Sequence, residues 1–146
     1  SHDYTQDPAV FKDRHKGLAQ GEPFKNRHTD NKFLTEGGKT EWSIPYHGQP
    51  YFVSEFGGIW WNPDAKEGED SWGYGERPKS IEEFYERFEK LCAVLLEDPN
   101  MFGYCYTQLT DVFQEQNGVF KFDRTGKFDL EILRKAQGKT AAIELT

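Results

Sequence analysis

A single glutamate, Glu55, stands where a short apolar stretch gives way to two glycines, Gly57 and Gly58. Residues 51–53 before it are aromatic or β-branched, which predicts a strand covered on both faces, as in a parallel sheet. In barrels of alternating strands and helices, catalytic groups lie at the carboxyl ends of the strands, and glycines let a substrate approach the main chain closely. The stretch therefore predicts either a catalytic carboxylate where the strand ends, or a strand and a glycine turn beside a solvated glutamate.

Two adjacent tryptophans, Trp60 and Trp61, follow the glycines, in a chain whose aromatic content is 16%. Flat apolar rings beside polar groups are typical of carbohydrate sites. The same rings could instead pack the loop onto the rest of the fold, and a small aromatic core would give the same aromatic content. The sequence leaves both roles open, a sugar platform and a packing contact.

The elements that would position these residues begin with a helix. Ser80 and Glu83 form a capping box, a pattern in which the two side chains satisfy free amides of the first helical turn. Apolar residues follow at helical spacing, namely Ile81, Phe84, Phe88, Leu91 and Leu95. They predict a helix to about Glu97. Pro99 ends it, and residues 103–109 predict a second strand, so that strand, helix and strand form a βαβ unit with a parallel sheet.

Polar residues, Gln108 and Asp111 among them, stand where this second strand ends. Asp111 is a candidate site residue on that ground, although capping a turn is a more frequent role for aspartate. A last helix is predicted from its cap Asp129 to about Gln137. Its inward residues would be Ile132, Leu133 and Ala136.

The first helix is predicted to open at Pro8, behind Asp7 as its cap, and to run to about His15. Residues 18–44 show no sustained period and predict a long surface loop. Residues 119–123 predict a short extended piece.

Composition predicts one soluble domain, with 36% hydrophobic and 29% charged residues in 146. Lys and Arg number 18 against 25 Asp and Glu, which gives a net charge of -7 without a basic stripe. This balance argues against nucleic acid and anionic membranes as partners. No apolar run approaches the roughly 18 residues of a membrane span. The polar start without Met predicts a chain cut from something longer.

Cys92 and Cys105 both stand in apolar surroundings and are predicted to be buried, reduced thiols. Such thiols fit a reducing, cytoplasmic location. Neither cysteine has a second ligand at zinc spacing, so we predict no metal site. We see no phosphate-binding loop and no Ser/His/Asp order with a nucleophile elbow, and we predict no cofactor.

Taken together, three stretches resemble the catalytic barrel of glycoside hydrolase family 2, which contains β-galactosidases, β-glucuronidases and β-mannosidases. They are Pro50 to Gly58, Gly103 to Val112 and Gln114 to Gly118. The resemblance covers nearly the whole chain, from His2 to the last helix. Its most specific part is Ser54-Glu55-Phe56-Gly57-Gly58 combined with the later strand end at residues 107–111.

The resemblance implies that the chain is the C-terminal portion of a (β/α)8 TIM barrel, about strands 6 to 8 with their helices. His2 to Tyr4 would follow the sixth strand, Glu55 would end the seventh, and residues 108–111 would end the eighth. The family's catalytic acid/base, in an Asn-Glu pair on the fourth strand, has no counterpart here. The family's β-sandwich domains have no counterpart here either. The rest of the barrel and these domains are therefore expected partners.

By the same resemblance, Glu55 would be the nucleophile of a retaining β-glycosidase, most similar to a β-galactosidase. It must be ionised to attack, so hydrogen-bond donors should surround it. Tyr4 could be such a donor or could simply pack on the barrel rim, and His2 or Asp3 could bind sugar hydroxyls. Gln108 and Asp111 are weaker substrate-binding assignments on the same resemblance. Many relatives carry a tryptophan near the position of Gln108, and its absence leaves the sugar open.

Two functions are compatible with this sequence. The first is a glycosidase portion that supplies the nucleophile and binds a β-glycoside. The second is a non-catalytic carbohydrate-binding or scaffold module that keeps the pocket without turnover. In either case an open piece of barrel would leave sheet edges and apolar faces uncovered, and self-association of the isolated chain is expected.

Overall fold

The centre of the fold is a three-stranded parallel sheet. The computed structural model describes residues 1–26, 44–65, 68 and 70–145. The strands are β1 (His2–Asp3), β2 (Tyr51–Gly57) and β3 (Met101–Thr107), in the order β1-β2-β3. Both pairings are parallel, so the carboxyl ends of all three strands lie at one edge of the sheet. The predicted parallel α/β arrangement is confirmed.

Three α-helices accompany the sheet, as predicted. They are α1 (Pro8–His15), α2 (Ile81–Leu96) and α3 (Leu130–Gln137). Each begins behind the predicted cap, because the side chains of Asp7, Ser80 and Asp129 accept hydrogen bonds from amides of the first turn. Short 3-10 helices follow at Leu18–Gln20 and Ala142–Leu145.

The capping box of α2 has a small departure from the usual pattern. Ser80 Oγ accepts from the amide of Glu83 at 3.2 Å, as expected. The Glu83 carboxylate reaches past the cap to the amide of Lys79, at 2.8 Å. It also accepts from Arg87 one turn later, at 2.7 Å. These contacts fix the start of the helix that covers the sheet.

The described helices all pack on one face of the sheet, and none of them covers the other face. Val53 and Phe56 of β2 are fully buried on the covered face. Phe84, Phe88 and Leu91 of α2 are buried in the same core. On the opposite face Phe52 is 42% exposed, with its ring against Gly103, where an added Cβ would meet it at 2.7 Å. The prediction that both faces of β2 are covered is therefore wrong for the described chain.

Several local predictions need correction. Strand β2 continues two residues past Glu55 to Gly57, and β3 ends at Thr107, which places Gln108 just beyond the sheet. Ile132 is largely exposed, because α3 is a surface helix that buries only Leu133 and Ala136. Cys105 is exposed on the open face of the sheet, whereas Cys92 is buried in the core.

Two predicted segments, the loop at 18–44 and the extended piece at 119–123, differ in part from expectation. Of residues 18–44, the first three form a 3-10 helix, and positions 27–43 lie outside the described residues. The predicted extended piece at 119–123 is reduced to isolated bridges from Phe120 to Thr110 and Gly126. None of the described helices is long and apolar enough to cross a membrane.

Candidate active site

The candidate site lies at the carboxyl edge of the sheet, around Glu55 of the central strand. Glu55 Oε2 accepts a short hydrogen bond from the phenol of Tyr4. The same oxygen lies 3.2 Å from His2 Nδ1, since His2 and Glu55 are direct neighbours in the register of β1 and β2. The glutamate side chain is 39% exposed. One carboxylate oxygen is thus held by two ring groups while the side chain still reaches solvent.

Tyr4 is held for this contact by a second tyrosine. Its ring is stacked on that of Tyr74, with 3.5 Å between centroids and 4° between planes. Gly58 makes room for the pair, because an added Cβ there would meet Tyr74 at 2.4 Å and Tyr4 at 3.2 Å. The residue also has a φ of 57°, which favours glycine. Gly58, which was predicted to let a substrate approach the main chain, therefore makes room for the stacked rings of Tyr4 and Tyr74.

The protonation of Tyr4 suits a hydrogen-bond donor. Burial raises the pKa of its phenol above the ordinary value, and the bond to Glu55 acts in the same direction. A further hydrogen bond with the side chain of Thr107, at the end of β3, opposes the shift. The phenol therefore stays protonated at neutral pH and donates to the carboxylate, which is the first of the two roles considered for Tyr4.

The main chain around Tyr4 is tied to the turn after Glu55. Gln6 Nε2 donates to the carbonyl of Tyr4 at 3.0 Å and to that of Gly57 at 2.5 Å. This amide joins the ends of β1 and β2 on the side of the site. The rim is therefore cross-linked by a side chain that the sequence analysis did not single out.

Asp3, predicted as a sugar ligand, lies instead on the covered face of the sheet. It is 2% exposed. Its Oδ1 accepts from the amide and hydroxyl of Thr5, at 3.1 and 2.7 Å. Its Oδ2 lies 3.2 Å from His15 Nε2 and 3.3 Å from Arg14 Nε. Alternation along β1 sends His2 and Asp3 to opposite faces, so Asp3 joins β1 to α1.

This role of Asp3 predicts a pH dependence of stability. Burial alone would raise its pKa, but hydrogen bonds from His15 and Thr5 and the charge of Arg14 together lower it. A carboxyl whose folded pKa is lowered stabilises the fold above its unfolded pKa of about 3.9 and loses that contribution as pH falls through the folded value. We expect Asp3→Asn to lower the unfolding free energy by about 2 kcal/mol at pH 7.

Urea unfolding between pH 2 and 7 measures this effect. The difference between Asp3→Asn and the unmodified chain should be constant above about pH 5 and shrink at lower pH. Asp13→Asn is the matched control, since Asp13 of α1 pairs with exposed Lys16 and with no other cation among the described residues. A difference that stays constant down to pH 2 would contradict the lowered pKa of Asp3.

Asp111, another predicted sugar ligand, holds a loop together. It is only 7% exposed. Its Oδ1 accepts from the amide of Gly118 and from Lys127 Nζ, both at 2.8 Å. Burial lowers the pKa of Lys127, and the Asp111 carboxylate opposes that shift. The alternative role considered for Asp111, fixing a turn, is the one that these contacts describe.

Gln108 lies at the carboxyl edge of the sheet next to Thr107, and its side chain is already hydrogen-bonded to the loop after β3. Its Nε2 donates to Asn117 Oδ1 at 2.8 Å. Asn117 is buried and donates in turn to Glu115 Oε1 at 3.1 Å. Gln108 therefore shares the edge of the sheet with Glu55, as predicted, and its amide orders the loop after β3.

The two tryptophans after the glycines are half-buried and packed. Trp60 Nε1 donates to Ser71 Oγ at 3.2 Å. The guanidinium of Arg77 lies over both rings, 5.8 Å from the centroid of Trp60 and 5.6 Å from that of Trp61. These contacts match the packing alternative more closely than the sugar platform.

The sequence analysis missed Tyr74 and Thr107 as members of the site. The signal available was the run Trp72-Gly73-Tyr74, two aromatic residues around a glycine in the loop that follows Glu55. Thr107 offered a weaker signal, as the last residue of β3. Neither Tyr74 nor Thr107 stood out in the sequence. The loop that carries Tyr74 pairs with residues 58 and 115, and this pairing depends on the tertiary fold.

Comparison with models of known protein families gave no match, and comparison with curated proteins gave none either. Within the described residues, no group of three His, Cys, Asp or Glu side chains is placed to hold a metal ion. The chemistry of the site is therefore argued from its own geometry and from the sequence resemblance.

Proposed function

We propose that this chain is the nucleophile-bearing part of a retaining β-glycosidase barrel similar to glycoside hydrolase family 2, with β-galactosidase-like activity. The observation that carries the proposal is the position of Glu55. It lies near the carboxyl end of the central strand of a parallel sheet, partly exposed, with one oxygen held by Tyr4 and His2. Carboxylates at such strand ends are the catalytic groups of (β/α)8 barrels.

The open sheet supports the proposal that the chain belongs to a larger barrel. Strand β3 is an edge of the described sheet. Phe52, Ser54 and Cys105 are exposed on the face without helices, where the interior side chains of a closed barrel would meet. In the proposal, the remaining strands pair with both edge strands, β1 and β3, and cover this face, and the β-sandwich domains complete the enzyme.

In the proposed reaction, Glu55 attacks the anomeric carbon of a β-glycoside and the bond to the leaving oxygen breaks. The leaving oxygen takes a proton from a second carboxyl group, which retaining enzymes place about 5–5.5 Å from the nucleophile. Water then hydrolyses the glycosyl-enzyme ester and releases the sugar with its original configuration. The second carboxyl group would come from the rest of the barrel, so the isolated chain should be inactive.

Tyr4 and His2 have defined roles in this proposal. The phenol donates to Oε2 and leaves Oε1 to attack. His2 beside the same oxygen limits rotation of the carboxylate and is half-exposed, so it can also meet a sugar hydroxyl. A nucleophile held in its attacking geometry avoids the entropy loss of orienting it during the reaction.

A mechanism-based label tests the proposal directly. The complete enzyme that contains this chain is incubated with 2-fluoro β-glycosides, whose glycosyl-enzyme intermediate is slow to hydrolyse, and the peptides are analysed by mass spectrometry. We expect the added mass on the peptide that contains Glu55. A label on another carboxylate would assign the nucleophile elsewhere. Absence of labelling by galactosyl, glucuronyl and mannosyl reagents, together with saccharide binding, would favour the non-catalytic carbohydrate-binding module.

A further inference from the structure

The side-chain amide of Gln6 lies between the two strand ends that form the candidate site. Its Nε2 donates to the carbonyl of Tyr4 at 3.0 Å and to that of Gly57 at 2.5 Å. Tyr4 carries the phenol that donates to Glu55, and Gly57 ends the strand in which Glu55 lies. One amide group is therefore bonded to the main chain on both sides of the contact between Tyr4 and Glu55.

The third contact of this amide defines its orientation. Gln6 Oε1 accepts from Arg87 Nη1 at 3.5 Å. A flipped amide would turn its oxygen toward two carbonyl oxygens and its nitrogen toward a guanidinium, which offers no acceptor. The orientation with Nε2 toward the carbonyls is therefore the one in which every contact joins a donor to an acceptor.

Arg87 of α2 is itself held in place. Its Nη1 donates to the carbonyl of Glu76 and its Nη2 donates to Glu83 Oε1, both at 2.7 Å. The Arg87 side chain is only 14% exposed. Gln6 also packs against Gly75, which has a φ of 70° and where an added Cβ would collide with the Gln6 side chain. A side chain of a regular helix and a close-packed turn therefore fix the position of the Gln6 amide.

We propose that Gln6 is a positioning residue of the candidate active site, which holds the Tyr4 phenol against one oxygen of Glu55 and leaves the other oxygen to react. The inference rests on the proposed function, in which Glu55 is the nucleophile. Strand β1 ends at Asp3, so the register of the sheet stops one residue before Tyr4. The Gln6 amide continues the connection to β2 at that point. Small displacements of a reacting group lower the rate strongly, and Gln6 acts on Glu55 through Tyr4.

Carbon-13 nuclear magnetic resonance of the Glu55 carboxyl group tests the inference in the 146-residue chain, without turnover. Tyr4→Phe removes the phenolic hydroxyl and defines the full change of the Glu55 Cδ signal at pH 7. We expect Gln6→Met, which is similar in size and has no amide donors, to reproduce at least about half of that change. Gln137→Met is the matched control, since Gln137 is exposed at the end of α3, and it should leave the signal unchanged.

A measurement on the unmodified chain does not depend on the folding of any variant. The Gln6 amide is half-buried and donates to two carbonyls. Its protons should exchange with solvent at least about tenfold more slowly than those of the exposed Gln137 amide. Their resonances are assigned through the carbons of the Gln6 side chain.

Kinetics of the complete enzyme separate positioning from binding. Gln6→Met should lower kcat about tenfold and change KM by less than about twofold, because Gln6 acts on the reacting carboxylate and not on the sugar. Arg87→Met should move the Glu55 signal in the same direction by a smaller amount, since the amide keeps both carbonyls and loses the donor to its oxygen.

Three results would overturn the inference. If Gln6→Met gives less than about half of the change seen with Tyr4→Phe, the stacked ring of Tyr74 holds Tyr4 by itself. If the Gln6 amide exchanges as fast as that of Gln137, its hydrogen bonds do not persist in solution. If Gln6→Met raises KM and leaves kcat unchanged, Gln6 contributes to binding and not to positioning.

The proposed function is judged separately. If the complete enzyme is not labelled at Glu55 by any of the 2-fluoro glycosides, the glycosidase proposal fails. A Glu55 signal that moves in Gln6→Met would still support the positioning of Tyr4 by Gln6. Labelling at Glu55 combined with an unmoved signal would leave the glycosidase proposal standing and overturn the role of Gln6.

Discussion

If Glu55 is the nucleophile of the proposed glycosidase, Glu55→Gln should lower the turnover of the complete enzyme by three or more powers of ten. The amide keeps the shape of the side chain and a hydrogen-bonding group for Tyr4, but it lacks the charge that attacks the anomeric carbon. Loss of a covalent nucleophile forces the reaction through a single, harder step. A thousandfold loss corresponds to about 4 kcal/mol of barrier. Sugar binding should change much less, because the amide still forms hydrogen bonds.

The measurement is the hydrolysis of aryl β-glycosides by the complete enzyme, with kcat and KM determined separately. Glu86→Gln is the matched control, since Glu86 is exposed on α2 and, in the part of the chain that the structure describes, pairs with Lys90 alone. It should retain the normal rate. If Glu55→Gln keeps a turnover within tenfold of the unmodified enzyme, Glu55 is not the nucleophile.

The second large effect concerns stability. Lys127→Met should lower the unfolding free energy by about 3–5 kcal/mol, because it leaves the buried carboxylate of Asp111 without its cation. The Lys127 side chain is fully buried and its ammonium lies 2.8 Å from Asp111 Oδ1. Of the described donors to that oxygen, the Gly118 amide alone would remain. Urea unfolding followed by circular dichroism measures the loss.

Two further variants separate charge from packing. Lys90→Met removes the cation of an exposed pair on α2 and should cost at most about 1 kcal/mol. The double variant Asp111→Asn/Lys127→Met should recover much of the loss, since it leaves no unpaired buried charge and the amide oxygen of Asn can still accept from Gly118. A Lys127→Met variant as stable as Lys90→Met would show that Asp111 reaches water after the substitution.

The elements that the sequence predicted well are those with a local cause. Asp7, Ser80 and Asp129 each cap the helix that they were expected to cap, because a cap depends on a side chain and the amides two or three residues later. Strand β2 was predicted from its apolar run. The polar residues after β3 indicated that the end of β3 lies beside Glu55, at the carboxyl edge of the sheet.

Elements that depend on distant contacts were predicted less well. Asp3 and Asp111 were both expected to bind sugar on the ground of the resemblance to the family's barrel. Their structural roles need partners 12 and 16 positions away, in His15 and Lys127. Tyr74 was overlooked for a similar reason, because nothing local indicates that it stacks on Tyr4.

The contact between Tyr4 and Glu55 joins residues 51 positions apart in the chain. Closing a flexible loop of that length costs roughly 3.5 kcal/mol plus a constant. Tyr4 follows a strand of two residues and is held by a few side-chain contacts. Glu55 lies in a strand of seven residues that packs against α2. The two sides of the site therefore differ in local stability. If the contacts of Asp3 with α1 are broken, we expect His2 and Tyr4 to leave the carboxylate before the core around β2 and α2 unfolds.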